Sequence, residues 1–271
     1  MTLARPHRRR LLSGLLASPL VPAPARSQPG WGPWPSGARG AVSLTYDDGL
    51  DSHLDQVIPD LNARGLRGTF FLVRDNVDER IGDWVKAAEP GHEIGNHTVS
   101  HQCSLGGFTE AGFADREIEP MEDYLDQHFG PRPMRLYAYP CGFLGLGRGD
   151  MRARFGRYRL ALQDAVTAAR TVAGPPNDPF TVRSNRLDLS AFEPTYDTAS
   201  TEPARRYLDA ALARGGWAIL VFHDVLPQWR AEGDTAAAVH SRVLDLIADR
   251  PLWCAPMGEV FTRLTGDRGP A

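Results

Sequence analysis

The order of elements written into this sequence predicts an α/β fold, a parallel sheet with covering helices. Three observations carry that prediction. Residues 41–46 run as a buried strand and stop at Asp47-Asp48-Gly49; a helical apolar pattern and a second β-prone run follow at once; the same alternation then reaches a third strand at 92–97. A barrel is one way to close such an array.

Residues 26–40 are rich in Pro, Gly and Trp and read as an irregular lead-in. Past the Asp-Asp-Gly turn, Leu54, Val57, Ile58 and Leu61 recur at helical spacing, and Gly65 ends the pattern. Residues 69–73 are a continuous apolar run, and 78–88 look helical up to Pro90-Gly91. The longest helical pattern covers 109–129, with Phe113, Ile118, Met121, Leu125 and Phe129 as its inner face and Gly130-Pro131 as its stop. Residues 136–139 return to strand and open through Pro140-Cys141-Gly142 into a glycine-rich loop. Between 151 and 195 the patterning is weak, and short strands are expected at 160–165 and 180–183. Residues 205–214 are helical, Gly215-Gly216 breaks them, and 217–222 is the strongest buried strand, ending in His223-Asp224. A helix at 236–248, a strand at 252–255 and a helix at 258–264 complete the chain. No repeat, low-complexity tract or linker divides residues 41–271, which are expected to form one domain.

The amino terminus stands apart. Arg8, Arg9 and Arg10 precede an apolar run over 11–21 and then Ala23-Pro24-Ala25, the layout of a secretory signal over residues 1–25. The run is too short to span a bilayer as a mature helix, so no stable membrane span is expected after cleavage. Export to the periplasm or the medium is expected, and the arginines permit the twin-arginine route as well as the general one.

Removing the segment takes four arginines and no acidic residue, leaving a net charge of −7 (26 basic against 33 acidic residues). A chain this acidic makes a poor nucleic-acid binder. Lys86 is the only lysine, which leaves Schiff-base chemistry and a phosphate-binding P-loop without their residue. Cys103, Cys141 and Cys254 show no C-x-x-C spacing, so a dense disulfide framework and a thiolate zinc site are both excluded, while one disulfide stays open.

Two stretches carry chemistry. Neighbouring side chains on an extended backbone point to opposite sides, so Asp47 and Asp48 can divide two tasks, one binding a metal while the other handles a proton; Asp-Asp-Gly is also ordinary turn chemistry. The second stretch is His97-Thr98-Val99-Ser100-His101. Two histidines four apart lie one turn from each other if the backbone is helical there, and two imidazoles with one carboxylate leave metal positions open for water and substrate. In a parallel array all strands end on one side, so Asp48 and this pair would converge.

At these residues the chain resembles the polysaccharide deacetylase family with the NodB-type fold, carbohydrate esterase family 4. Its first motif is present as Thr45-Tyr46-Asp47-Asp48-Gly49 and its second as His97-Thr98-Val99-Ser100-His101. The resemblance implies a distorted (β/α) barrel of the NodB type that hydrolyses N- or O-linked acetyl groups of a carbohydrate. It implies Asp47 as catalytic base, and Asp48, His97 and His101 as ligands of a divalent metal, zinc foremost, with Co2+ or Ni2+ as alternatives.

The later motifs depart. Where the family commonly has Arg-x-Pro-Tyr-Gly, this chain reads Ala138-Tyr139-Pro140-Cys141-Gly142 and lacks the arginine. By the resemblance Tyr139, Pro140 and Cys141 border the substrate pocket and the Cys141 N–H faces the oxyanion; Cys141 itself reads as a pocket wall rather than a nucleophile. Arg183 is a candidate for the missing guanidinium. The fifth motif appears as Ile219-Leu220-Val221-Phe222-His223, implying His223 as the acid and Val221 as an acetyl-pocket residue. Asp224 could orient His223 or cap the turn, and His92 could support the metal ligands. The fourth motif, Asp-x-x-Asp-Trp, has no clear counterpart. The alternative reading is a catalytically weak relative that retains metal and glycan binding.

Overall fold

The structure is a computed structural model that describes residues 33–132, 134–194, 200–231 and 233–267. The signal segment and the lead-in up to residue 32 lie outside the described residues.

Seven strands form one sheet in which every pairing is parallel. They are β1 (Gly40–Tyr46), β2 (Thr69–Leu72), β3 (Glu93–Asn96), β4 (Leu136–Ala138), β5 (Ala168–Arg170), β6 (Trp217–Phe222) and, after the short pair β7 (Val225–Leu226) and β8 (Thr235–Ala236), β9 (Leu252–Cys254). The order across the sheet is β5-β4-β3-β2-β1-β6. One edge of β1 is shared: Gly40 to Val42 pair with β9, and Thr45 and Tyr46 pair with β2.

β1 is central because every one of its residues is buried. Its side chains alternate between two apolar layers. Val42, Leu44 and Tyr46 pack outward with Ala218, Leu220 and Phe222 of β6 under the covering helices. Ala41 faces inward with Trp217, Ile219 and Val221, with Phe71, Leu136, Ala138 and Ala168. The polar inward positions are satisfied, since Ser43 donates to the Ala255 carbonyl at 2.8 Å and Thr45 to that of Leu220 at 2.8 Å. The inward face of β1 therefore leads directly to Asp47, the next odd residue.

Closure comes from the stretch the sequence left unclear. Leu189 bridges to Arg170 at the free edge of β5, and Phe192 bridges to Leu220 at the free edge of β6. One irregular segment thus joins the two edges and covers their unpaired backbone groups. Neither short strand expected there forms. Residues 160–165 lie at and beyond the end of a helix, Met151–Leu162, whose amino terminus is capped by Asp150 accepting from the Ala153 N–H at 2.8 Å; residues 180–183 are turns. Arg152, Arg154, Arg157 and Arg159 interrupt the apolar period of that helix, which buries only Tyr158, Ala161 and Leu162. The pattern expected over 109–129 runs through Glu110–Phe113, a π-helical turn Ala114–Ile118 and Glu119–Phe129. The helices expected near 205–214 and 236–248 form as Glu202–Arg214 and Ala237–Ala248.

Gly95 of β3 is a point of close packing. A Cβ there would stand 2.5 Å from the Phe71 ring and 3.2 Å from the Leu136 carbonyl oxygen. Overpacking of this kind costs about 1–3 kcal/mol. Gly95→Ala is expected to lower stability by that amount in urea unfolding, and a variant as stable as wild type would show that the Phe71 ring relaxes freely.

Candidate active site

The carboxyl ends of β1, β4, β5 and β6 open on one side, and the loops that follow them wall a cavity of about 510 Å³. Asp47, Asp48, Tyr139, Cys141, Glu193, His223 and Asp224 are among its lining residues. Pro140 and Val221 are buried, and Val221 packs in the inner apolar layer rather than on the cavity wall.

Asp47 is 1% exposed and its N–H donates to the Phe222 carbonyl at 2.9 Å. Its partner is Arg170, fully buried at the end of β5, whose guanidinium hydrogen-bonds one carboxylate oxygen and lies 4.8 Å from the centre of the Phe71 ring. Arg170 is the residue the sequence reading missed. It stands in register with Ala138, the first residue of the motif that lacks its arginine. Arg183 does not take that place: it donates to the Thr265 carbonyl. A signal was available in the alternation, since Arg170 shares the inward face with Ala168, but β5 itself had not been recognised.

The second oxygen of Asp47 is 3.8 Å from His97 Nε2 and 4.0 Å from His223 Nε2. Burial works against ionisation of Asp47, yet Arg170 and the two imidazoles outweigh it and hold the carboxyl below its ordinary range. His223 Nδ1 donates to Glu193 Oε1 at 2.9 Å. Burial alone would lower the histidine, but the Glu193 bond and the Asp47 charge raise it to about 9. Glu193 follows directly on the edge-bridging Phe192, and it orients His223 in place of Asp224. The Asp224 side chain accepts instead from Ser52. His53, which the sequence offered only as a helix residue, donates through Nε2 to the His223 carbonyl at 2.8 Å.

Asp48 turns away from Asp47 because its backbone is left-handed, φ 77°. Gly49 follows at φ 67°, where a Cβ would come within 2.4 Å of Val77. Asp48 Oδ1 faces His97 Nε2 at 3.4 Å and His101 Nε2 at 3.3 Å. The two imidazoles meet through a loop with positive φ at Thr98 (74°) and His101 (51°), not through the helical turn the spacing suggested. Their ring centres are 4.8 Å apart. Asn96 Oδ1 accepts from the Thr98 N–H at 2.7 Å, and Glu117 takes both the N–H (3.0 Å) and the hydroxyl (2.7 Å) of Ser100.

These residues fit a divalent ion. Asp48 Oδ1 is buried with no hydrogen-bond partner. His97 donates through Nδ1 to the Ala138 carbonyl at 2.9 Å, which leaves the Nε2 lone pair facing Asp48. Asp48, His97 and His101 each offer one ligand atom within a single cluster. His92 takes no part: its Nδ1 accepts from the Gly68 N–H at 3.1 Å and its Nε2 meets Asn62, at the opposite end of β3. Cys141 lines the cavity, and its disulfide with Cys103 leaves it no free thiol to act as a nucleophile.

A family model described as polysaccharide deacetylase matches residues 36–170. A peptidoglycan-N-acetylglucosamine deacetylase of Bacillus cereus is 39% identical over 93 residues, 34% of this chain and 33% of that protein. The segments matched in the curated relatives span 5 to 33% of their lengths. Among solved structures, a putative polysaccharide deacetylase from Mycobacterium smegmatis superposes with a TM-score of 0.63 at 17% identity, covering 88% of this chain and 94% of that one. A family 4 acetyl xylan esterase from Clostridium thermocellum, solved with a cobalt ion, gives 0.52 at 20% identity, covering 82% and 90%. Matched in sequence over about half its length and in fold over most of it, the chain belongs to the polysaccharide deacetylase family.

Proposed function

We propose that this chain is an exported, metal-dependent hydrolase that removes acetyl groups from a carbohydrate, with N-acetylated sugars preferred. One observation carries the reading. A buried, ionised Asp47 outside the metal-ligand set faces a carboxylate-oriented His223 across the same cavity. A glycan-binding relative without turnover needs neither group, which is why the weak-binder alternative ranks second.

Asp48, His97 and His101 would hold the ion, and two imidazoles with a carboxylate suit zinc, with Co2+ or Ni2+ as substitutes. When bound, such an ion supplies Lewis-acid polarisation of the acetyl carbonyl and a water of lowered pKa. Asp47 takes the proton of the attacking water, and Arg170 keeps it ionised to do so. The Cys141 N–H at the cavity wall donates to the developing oxyanion. His223, protonated through neutral pH by Glu193, gives its proton to the departing nitrogen. The acidic lining, with Asp224, Asp234 and Glu193, supports an amine product, which leaves as a cation. The disulfide supports an oxidising destination, in keeping with a signal over residues 1–25. No helix among the described residues is long and apolar enough to cross a membrane.

Three measurements test the reading. Metal-free protein should take up about one Zn2+ or Co2+ per chain, as a three-ligand site implies, and His97→Ala or His101→Ala should abolish it; unchanged occupancy in both variants would remove the ligand assignment. Acetate release from N-acetylglucosamine oligomers should fall ~10² to 10⁴-fold in Asp47→Asn with metal retained. The wild-type kcat/KM should decline on the alkaline side near pH 9, as His223 loses its proton. Glu193→Gln removes the charge that raises His223, so this limb should move to lower pH by on the order of 1–2 units; an unmoved limb would dismiss His223 as the acid.

Arg170→Met should cost about 3–5 kcal/mol by leaving a buried charge unpaired. In that variant Asp47 lies above its unfolded value, so stability is retained at acid pH and lost as pH rises. Wild type has the opposite sign at this residue, its Asp47 stabilisation fading as pH falls. Unfolding at pH 4.5 and 7.5 should therefore show the larger loss at 7.5, and an equal loss would deny the charge coupling.

A further inference from the structure

The two histidines of the metal set are held unequally. His97 is 1% exposed at its side chain, and its second ring nitrogen is fixed on the Ala138 carbonyl. His101 is 29% exposed, its backbone is left-handed, and among the described residues its second ring nitrogen meets sulfur rather than oxygen: Nδ1 lies 3.9 Å from Cys141 Sγ. Metal-binding imidazoles are normally oriented by an acceptor on that nitrogen. At His101 the disulfide stands where the acceptor would be.

Its two ends come from the two loops that matter. Cys103 is two residues beyond His101, and Cys103 Sγ lies 4.0 Å from the His101 carbonyl oxygen. Cys141 follows β4 with φ 56° and is among the residues that line the cavity. The bridge spans 38 residues of sequence with its Cα atoms 5.7 Å apart. Both loops have left-handed non-glycine residues beside the bridge, a backbone state that persists only when surroundings impose it.

We propose that the Cys103–Cys141 disulfide is a positioning element of the metal centre, fixing the His101 ring against Asp48 and tying the ligand loop to the Pro140-Cys141-Gly142 loop. It does for His101 what the Ala138 carbonyl does for His97. This rests on the assignment of Asp48, His97 and His101 as the metal set.

The test compares Co2+ binding by metal-free wild type and the double variant Cys103→Ser/Cys141→Ser, which leaves no thiol at the site. Both should bind one ion, the variant about 10- to 100-fold more weakly, the range typical of lost support behind a ligand. In the metal-free proteins, imidazole nitrogen NMR should show the His101 signals shifted or broadened by loss of the bridge and those of His97 unmoved. Dissociation constants within twofold, or equal movement of His97 and His101, would overturn the proposal, the second outcome marking general loosening. If the double variant does not fold, folded wild type reduced by a phosphine and desalted gives the same ring measurement, and an unchanged His101 signal there overturns it. Wild type that binds no Co2+ would instead defeat the metal assignment, and the proposal with it.

Discussion

The buried pair of Asp47 and Arg170 is the constraint on which the rest of the molecule depends. In a flat sheet four strand spacings would place β1 and β5 about 19 Å apart, well beyond the reach of an arginine side chain. The contact exists only because the sheet curls until the inward faces of β1 and β5 look across at each other. A carboxylate this deep must be paired or lose its charge. The curl that closes the fold and the ionisation of Asp47 are thus one structural problem with one solution. Small residues make room for it: Gly95 clears the Phe71 ring, whose face receives the Arg170 guanidinium.

Around that pair the loops are held in states they would not choose. Asp48, Thr98, His101 and Cys141 all have positive φ without being glycine. Such residues persist where the scaffold over-determines them, and here the determinants are visible. Asn96, itself hydrogen-bonded to Glu122 at 2.9 Å, holds the Thr98 N–H, and Glu117 pins Ser100. Glu122 in turn is paired with Arg132. Desolvation penalises Glu122 as a charge and leaves its pKa raised, this chain of partners offsetting the penalty in part. The ligand loop is therefore anchored in the helical layer, while Arg170 and Glu193 secure the opposite wall from the barrel closure.

The sequence made legible what depends on local chemistry. A buried strand ending at Asp47-Asp48-Gly49 and a His-x-x-x-His segment after a third strand identified one wall of the site, because those residues sit beside each other in the chain. β6 announced its own end at His223 for the same reason. What failed was whatever depends on closure. Arg170 and Glu193 lie in a stretch where the strands are three residues or a single bridge long, too short for a period to register. An arginine-rich helix occupied part of a stretch read as strand, while Arg183 was chosen for its place at the end of an expected strand and Asp224 for its adjacency to His223, neither of which identifies partners across a barrel. The link between Cys103 and Cys141 was invisible for the same reason, since spacing does not encode which loops meet.

This division explains how a motif can lack its arginine while Asp47 still has a buried guanidinium as its partner. The requirement at Asp47 is a positive charge on the inward face, near the carboxyl ends of the strands, with its fork aimed at one carboxylate oxygen. Position 138 on β4 and position 170 on β5 are in direct register, one strand spacing apart, and both point inward. An arginine side chain is long enough to absorb that spacing, so the charge can move one strand over and still meet Asp47. Glu193 follows the same logic for His223, arriving from the bridging segment instead of from the neighbouring position 224. In a curled parallel sheet the chemistry is fixed by the face and height of a side chain, and several sequence positions share each face and height. The motif reports one of those positions, whereas the electrostatic demand of the buried carboxylate selects among all of them.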